Sequence, residues 1–305
     1  MSDRPGSLIE PIRAALSALG DSTPLRQVQL LGGGCINHAM RLVTGRSAYL
    51  LKYNSDPLPG MFRCEAEGLK RLADTHTVRV PAVLGYQEAS APAAGAPYRP
   101  AWILLEYLEG ARSGDPARLG EQLAELHRQG QSPRNPPAYG LYNDNYLGST
   151  LQVNGWESSW TRFFAEYRLR PQMETGRRNG RVGGERQKWL QKLIQRLPGL
   201  LGEIARRPSL VHGDLWSGNV IPGPDGFALI DPAVSYSDRE VEMAYTELFG
   251  GFSSRFYAAY NSAWPLDPGY PERRDLYNLY HLLNHLNLFG ESYGSAVDGI
   301  LRRFC

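Results

Sequence analysis

Leu210-Val211-His212-Gly213-Asp214-Leu215-Trp216-Ser217-Gly218-Asn219-Val220 reads as an apolar approach, a short polar loop and an apolar exit. Asp214 and Asn219 stand five positions apart in that loop. A loop of this length can bring a carboxylate to the proton of an attacking hydroxyl while an amide oxygen holds Mg²⁺ against phosphates. The following residues extend the arrangement. Val220-Ile221 and Phe227-Ala228-Leu229-Ile230 are apolar runs joined by Pro222-Gly223-Pro224-Asp225-Gly226, a stretch of turn formers. They predict a hairpin that returns Asp231 close to Asn219, its carboxylate at a strand end and ready for a hard cation. Turn residues and a helix cap would account for the three polar residues singly. They would not account for apolar framing, spacing and hairpin together.

The Asp–Asn separation equals that of the His-Arg-Asp-x-x-x-x-Asn loop of protein kinases, so a nucleotide-binding region is expected upstream. Gly32-Gly33-Gly34 lies between two strand-like runs and can present backbone N–H groups to phosphates. Three glycines also suit an ordinary hairpin, and Lys52 is what decides. The chain has 33 Lys+Arg, and its only lysines are Lys52, Lys70, Lys188 and Lys192. Lys52 sits inside the apolar run 47–53, where an unpaired ammonium is costly. Glu65, early in the following helical segment, can neutralise it; Glu67 is the rival. Residues 65, 69 and 72 share a helix face, which favours Glu65. The strand through Leu105-Glu106-Tyr107-Leu108 is the expected hinge, where the backbone of Glu106, Tyr107 and Leu108 can meet an adenine edge.

The 305 residues are 42% hydrophobic and 21% charged, with formal net charge +2. These values exclude a disordered, collagenous or disulfide-scaffold protein and give no reason to expect a nucleic-acid partner. No apolar stretch approaches the ~20 residues of a membrane span, and the first residues lack a secretory pattern. Cys35, Cys64 and Cys305 are widely spaced without CxxC, against a zinc site or a disulfide set and in keeping with a cytoplasmic setting.

Periodicity predicts helices over 8–19 and 61–74 and strands over 26–31, 39–43, 47–53, 78–87 and 102–107, with a loop at 89–100. Further helices are predicted over 117–129, 156–170, 185–206, 239–249, 253–263 and 275–289, interrupted by a β-rich stretch at 210–231. The expectation is an α+β fold of two lobes. Residues 1–108 form an antiparallel-sheet lobe with one key helix that binds nucleotide, and residues 109–305 form a larger, mainly helical lobe that holds catalysis and substrate.

The residues also carry a family resemblance. His-Gly-Asp-Leu-Trp-Ser-Gly-Asn (212–219) with Asp231-Pro232-Ala233 resembles the fructosamine kinase, or ketosamine-3-kinase, family, a branch of the group that includes aminoglycoside and choline phosphotransferases. Gly-Gly-Gly-Cys-Ile-Asn-His (32–38), Met-Phe-x-x-Glu-Ala-Glu-Gly-Leu (61–69), Tyr-Leu-Gly-Ser-Thr-Leu-Gln-x-Asn-Gly-Trp (146–156), Trp-x-x-Phe-Phe-x-x-x-Arg-Leu-x-Pro-Gln (160–172) and Leu-Leu-Asn-His-Leu-Asn-Leu-Phe-Gly (282–290) fit the same family. The resemblance spans roughly residues 8–304. It implies a protein-kinase-like fold and ATP-dependent phosphorylation of the 3-hydroxyl of a sugar joined to an amine through a ketoamine linkage, which leads to deglycation. It makes Asp214 the base, Asn219 and Asp231 the Mg²⁺ ligands, and Lys52 with Glu65 the pair that orients phosphates. Expected partners are small ketosamines or glycated proteins, not nucleic acid or membrane, for a monomer or homodimer. The rival readings are another small-molecule kinase of the larger group and a non-catalytic nucleotide-binding module.

Three further expectations concern single residues. Trp216, beside the base, can stack on a sugar face or simply pack the loop. His212 is expected to orient the loop; His127, His281 and His285 read as core or surface residues. Cys35 is a redox candidate, because a loop that gathers N–H groups for an anion also favours a thiolate; Cys64 competes with it.

Overall fold

The computed structural model describes residues 12–13, 16–17, 19–32, 37–89, 100–111, 114–202, 207–223 and 226–305. Strands β1 (Gln27–Leu31), β2 (His38–Val43), β3 (Ala48–Asn54), β4 (Val83–Gln87) and β5 (Ala101–Glu106) form one antiparallel sheet in the order β1-β2-β3-β5-β4. Helix α1 (Met61–Ala73) is inserted between β3 and β4.

Side chains alternate across a strand, and β3 shows what this achieves. Tyr49, Leu51 and Tyr53 pack in a cluster with Ile12, Leu16 and Trp102. Leu50 packs in the opposite cluster, with Phe62, Ala66 and Leu69 of α1. Lys52 therefore shares the face of Leu50 and looks toward α1. Interior strand β5, Ala-Trp-Ile-Leu-Leu-Glu, is apolar up to its last residue because both of its faces are covered.

The rest of the chain is mainly helical: α2 (Pro116–Gln129), α3 (Trp160–Phe163), α4 (Arg170–Arg178), α5 (Gly184–Leu201), α6 (Arg239–Leu248), α7 (Ser254–Ala263), α8 (Tyr270–Phe289) and α9 (Gly294–Phe304). A π-helical segment, Phe164–Leu169, joins α3 to α4. One large core runs through these helices. Short strands pair as three hairpin-like ladders: β6 (Asn145–Leu147) with β7 (Thr150–Gln152), β9 (Val220–Gly223) with β10 (Gly226–Leu229), and β8 (Ser209–Val211) with β11 (Ser235–Ser237).

Several element bounds differ from the sequence reading. Of the strand expected over 78–87, only 83–87 joins the sheet. Arg79 pairs instead with Ala228 of β10, where Leu229 N donates to Arg79 O at 2.9 Å. The helix expected over 156–170 starts at Trp160, because Glu157 is held extended against Tyr139 and the Ser159 side chain caps the first turn, and it runs on to Arg178. The last long helix starts earlier, at Tyr270, after the left-handed Gly269. The β6–β7 pair, β11 and α9 were not expected. The helix expected over 8–19 is seen at Ile12, Arg13, Leu16 and Ser17, with its other positions and most of the 89–100 loop outside the described residues. No helix among the described residues is long and apolar enough to cross a membrane.

Candidate active site

The 212–219 loop leaves β8, forms a 3₁₀ turn at Ser217–Asn219, and continues through the β9–β10 hairpin to Asp231 and back along β11 beside β8. Because β8 and β11 pair, both ends of this excursion are fixed. Ile230 N donates to Asn219 O at 3.1 Å and Ala233 N to His212 O at 2.8 Å. Gly213 has φ 83°, and a Cβ there would lie 2.0 Å from Ala233 O. Only glycine fits so close an approach.

Asn219 is buried, and its Nδ2 donates to Asp214 O at 2.8 Å and to Asp214 Oδ2 at 3.2 Å. With the amide nitrogen committed to Asp214, the amide oxygen points away from it. Behind the loop, His212 is fully buried; its Nε2 lies 2.9 Å from Ile230 O, and its Nδ1 accepts from Asp214 N at 3.3 Å. A carbonyl can only accept, so Nε2 carries the proton and the ring is neutral. Burial pushes its pKa down, in agreement with that tautomer.

Buried Glu242 on α6 holds the loop from below. It accepts from His212 N at 3.1 Å, from Gly213 N at 2.7 Å, and from His127 Nε2 at 2.9 Å. His127 Nδ1 continues to Tyr260 OH at 2.8 Å. A carboxylate gathering three N–H donors stays ionised even when buried, and its pKa is held below the usual range, with the His127 contact outweighing desolvation in company with the other donors. One turn further along α6, Tyr245 hydrogen-bonds the Asp214 side chain. Its ring stacks on His281 of α8, centroids 3.6 Å apart.

Asp214 thus lies in a densely packed floor. Desolvation raises its pKa to about 6; the Tyr245 and Asn219 hydrogen bonds pull it down and the Glu242 charge pushes it up. That value suits a general base near neutral pH.

On the sheet side, Lys52 is buried, and its Nζ contacts Glu65 Oε1 at 2.8 Å and also Asp231 Oδ1. Glu67 is turned away, in an i,i+4 pair with Arg63 at 3.1 Å. Asp231 has φ 57°, an uncommon value for a residue with a side chain and one that costs of order 1–3 kcal/mol. The surrounding contacts hold its carboxylate toward Lys52 and Glu65. Gly68 on α1 lets the helix pack closely on the Asp231 loop: a Cβ there would meet Pro232 Cγ at 3.1 Å.

A family model described as fructosamine kinase matches residues 10–305. The chain belongs to the fructosamine kinase family. It is 39% identical over 294 residues to the rice (Oryza sativa subsp. indica) chloroplastic protein-ribulosamine 3-kinase, covering 96% of this chain and 82% of that one. It is 40% identical over 287 residues to a Synechocystis protein named a probable ketoamine kinase, covering 93% and 92%. A crystal structure of a Haemophilus somnus protein assigned as a fructosamine-3-kinase superposes with TM-score 0.84 at 29% identity, covering 96% of this chain and 95% of that one. An aminoglycoside phosphotransferase in ternary complex with AMP-PNP and hygromycin B shares the fold at TM-score 0.62 and 15% identity, covering 95% and 98%. The α+β, protein-kinase-like architecture is therefore that of this family member.

Five of the residues singled out in the sequence come together as two adjoining groups, Asp214 with Asn219 and Lys52 with Glu65 and Asp231, linked by the Ile230 N to Asn219 O hydrogen bond. Trp216 stands beside them with 41% of its surface exposed, its ring against Gly218. Gly32 is described, but Gly33, Gly34 and Cys35 lie outside the described residues. Cys64 is partly buried, and desolvation pushes its thiol pKa up, away from reactivity. At the expected hinge, the Glu106 amide donates to Ala82 O at 2.9 Å, and its carboxylate takes Arg79 Nη2 at 2.7 Å and Ala82 N at 3.2 Å. Glu106 N–H thus closes the strand end, so a base edge would meet its carbonyl oxygen rather than its N–H, and Tyr107 and Leu108 follow outside the sheet.

Glu242 and Tyr245 escaped the sequence reading, while His127, read as a core or surface residue, is buried with both ring nitrogens partnered. Glu242 sits in the charged run Asp238-Arg239-Glu240-Val241-Glu242, which reads as a solvated helix start, yet all five residues are buried. Asp238 caps α6 and accepts from Tyr277 OH at 2.9 Å, and Glu240 takes a two-pronged pair from Arg273 at 2.7 and 2.8 Å.

A kinase site implies a metal, and two residues here present oxygen donors for one. Asn219 offers an amide oxygen and Asp231 a carboxylate that is 42% exposed. Hard oxygen donors, few in number, suit a cation that completes its shell with phosphate and water, as Mg²⁺ does. The residues fit.

Proposed function

We propose that this member of the fructosamine kinase family is an ATP-dependent ketosamine 3-kinase, acting on ribulosamine or fructosamine adducts of amines or protein lysines. The observation that carries the reading is the convergence of Asp214, Asn219, Asp231 and the Lys52–Glu65 pair in one cleft of a chain about 40% identical to proteins named for this activity. The family model and the relatives named as ribulosamine or ketoamine kinases favour this acceptor over an aminoglycoside or choline. The intact set of base, lysine and oxygen donors disfavours a non-catalytic module.

In this mechanism Asp214 accepts the proton of the 3-hydroxyl as O3 attacks the γ-phosphorus, while the bond from that phosphorus to the β,γ-bridging oxygen breaks and ADP leaves. Asn219 and Tyr245 fix the orientation of the carboxylate; Glu242 and neutral His212 fix the loop that carries it. Lys52, held by Glu65, turns from Asp231 to the nucleotide phosphates. Asn219 and Asp231 would hold Mg²⁺, which offsets phosphate charge. Gly32 with Gly33 and Gly34 would cover the phosphates, while Tyr107 and Leu108 would meet the adenine. Trp216 would face the sugar. Phosphate at C3 makes the adduct prone to eliminate it and release the amine, which is deglycation. We place the lobe boundary at 108/109 and the protein in a reducing, cytoplasmic setting, consistent with the free thiols of Cys64 and Cys305.

The test is mass-spectrometric assay of Mg·ATP with fructosyl-lysine, ribulosyl-lysine, choline and kanamycin. Phosphate at O3 of a sugar-amine is expected. Transfer to choline or kanamycin alone, or to none, rejects the proposal.

A further inference from the structure

Exposed aromatic side chains are few among the described residues; Trp216 and Phe249 adjoin the Asp214 loop, and Phe289 follows outward from Phe249 through His285. Trp216 is 41% exposed, Phe249 43% and Phe289 53%. The loop after α6 that begins with Phe249 packs on the catalytic loop: a Cβ on Gly251 would lie 2.5 Å from the Ser217 side chain, one residue from Trp216. From Asp214 outward the rings form a contiguous path. Tyr245 touches Asp214 and meets Phe249 edge-on at 5.9 Å. Phe249 meets His285 at 4.9 Å, and His285 meets Phe289 at 5.5 Å and Tyr293 at 5.0 Å.

We propose that this aromatic strip receives the amine-bearing half of the acceptor, with Phe249 selecting the nitrogen as a cation and Phe289 lying further along the chain that carries it. The inference rests on the ketosamine reading and adds what recognises the nitrogen. In a ketosamine the nitrogen is four bonds from O3, at most ~5 Å at ~1.5 Å per bond. Whatever receives it must therefore adjoin Asp214, as the start of the strip does. The nitrogen is a secondary ammonium at neutral pH, and cations are attracted to aromatic faces. Phe and Tyr rings also take the apolar chain that carries the amine.

Asp214, itself within reach of the nitrogen, attracts a cation in the wild type and in ring variants alike; the other neighbouring charges are engaged elsewhere. Glu247 is held by Tyr270 OH at 2.5 Å and Arg274 Nη1 at 3.1 Å, and Glu291 by Arg186 at 2.6 Å. His285 donates from Nδ1 to His281 O at 2.8 Å. Burial keeps its pKa low, so the ring is neutral and does not repel a cation.

Two probes of nearly equal shape separate charge from fit: 1-propylamino-1-deoxyfructose and 1-O-propylfructose. Their Kd values would be measured by calorimetry with Mg²⁺ and AMP-PNP, and their turnover with Mg·ATP. The wild type should bind the amine at least about 10-fold more tightly than the ether. Phe249→Leu and Phe289→Leu keep an apolar side chain but lose the ring. Phe249→Leu should weaken the amine about 3–30-fold and the ether less than about 2-fold, whereas Phe289→Leu, beyond reach of the nitrogen, should leave the ratio of the two unchanged. Circular dichroism checks that the variants fold. In Phe249→Leu, equal weakening of both probes, no weakening of the amine, or a loss confined to a glycated protein substrate overturns the proposal. The last outcome would make the strip a protein-docking face. Binding with the expected discrimination but without transfer would reject the kinase reading and leave the strip standing. Transfer to both probes alike would reject the strip alone.

Discussion

Asp214 carries opposite demands for catalysis and for stability. Its pKa of about 6 means that it accepts a proton only once ionised, so kcat/KM should fall along an acidic limb near pH 6. A pH–rate profile whose limb lies near the ordinary value of 3.8 would show that another group limits. The same shift has a stability consequence. The folded pKa lies above the unfolded one, so folding is favoured while Asp214 is protonated, and that stability is lost as pH rises from about 4 through 6. Asp214→Asn should therefore lower turnover roughly 10²–10⁴-fold while stabilising the fold at pH 8 by on the order of 2–3 kcal/mol, and by less at pH 5. Denaturant titrations at the two pH values would decide; a destabilised variant at pH 8 contradicts the buried-charge account. For the nucleotide pair, Lys52→Met and Glu65→Ala should each raise KM for ATP or lower kcat, and the double variant should add little, since both residues position one phosphate group. Strict additivity in a double-mutant cycle would sink the pairing. These residues were legible because each is a charge framed by apolar sequence, an arrangement that needs a reason. Glu242 and Tyr245 gave no such signal. Their meaning arises only when α6 closes under a loop encoded 25 or more residues earlier.

Among the elements, α1 does most to align the two halves of the cleft. Phe62, Ala66 and Leu69 bury one face against β5, while Gly68 brings the helix onto Pro232 and Val234. The helix that carries Glu65 is thus seated on the turn that carries Asp231. Gly68→Leu should push α1 off that turn and separate Glu65 from Lys52. We expect KM for ATP to rise several-fold with KM for the acceptor little changed; the two KM values from one initial-rate grid test this. A variant that alters only the acceptor KM would show that α1 does not transmit to the nucleotide side. Periodicity was sufficient to find α1, β2, β3 and β5, whose faces are buried by regular patterns. It failed for β6, β7 and β11, three-residue strands whose pairing depends on partners rather than on pattern. It also missed α9, whose buried positions are only Gly294, Val297 and Leu301. Arg79 was read as part of a strand because the sequence cannot show that its ladder partner lies in the β9–β10 hairpin.

At the scale of the molecule, the sheet and the helical part are joined where the nucleotide would bind. Leu229 N donates to Arg79 O at 2.9 Å and Tyr146 OH to Pro59 O at 2.7 Å. The Lys52–Asp231 contact crosses the same gap. A ligand held by Lys52 from the sheet and by Asn219 and Asp231 from the other side binds only when both parts are folded and apposed. Mg·ATP should therefore stabilise the molecule as one unit. A ligand at 100 times its Kd contributes about 2.7 kcal/mol, a rise of about 5 °C in Tm for a chain of this size. In Lys52→Met and in Asp231→Ala that rise should largely vanish at the same concentration, although the removed groups lie in different parts of the fold. Differential scanning fluorimetry with and without Mg·ATP reads this directly. If the melt splits into two transitions and ligand moves only one, or if either variant keeps the full shift, the nucleotide is held by one part alone, and the cleft does not couple the two as its contacts imply.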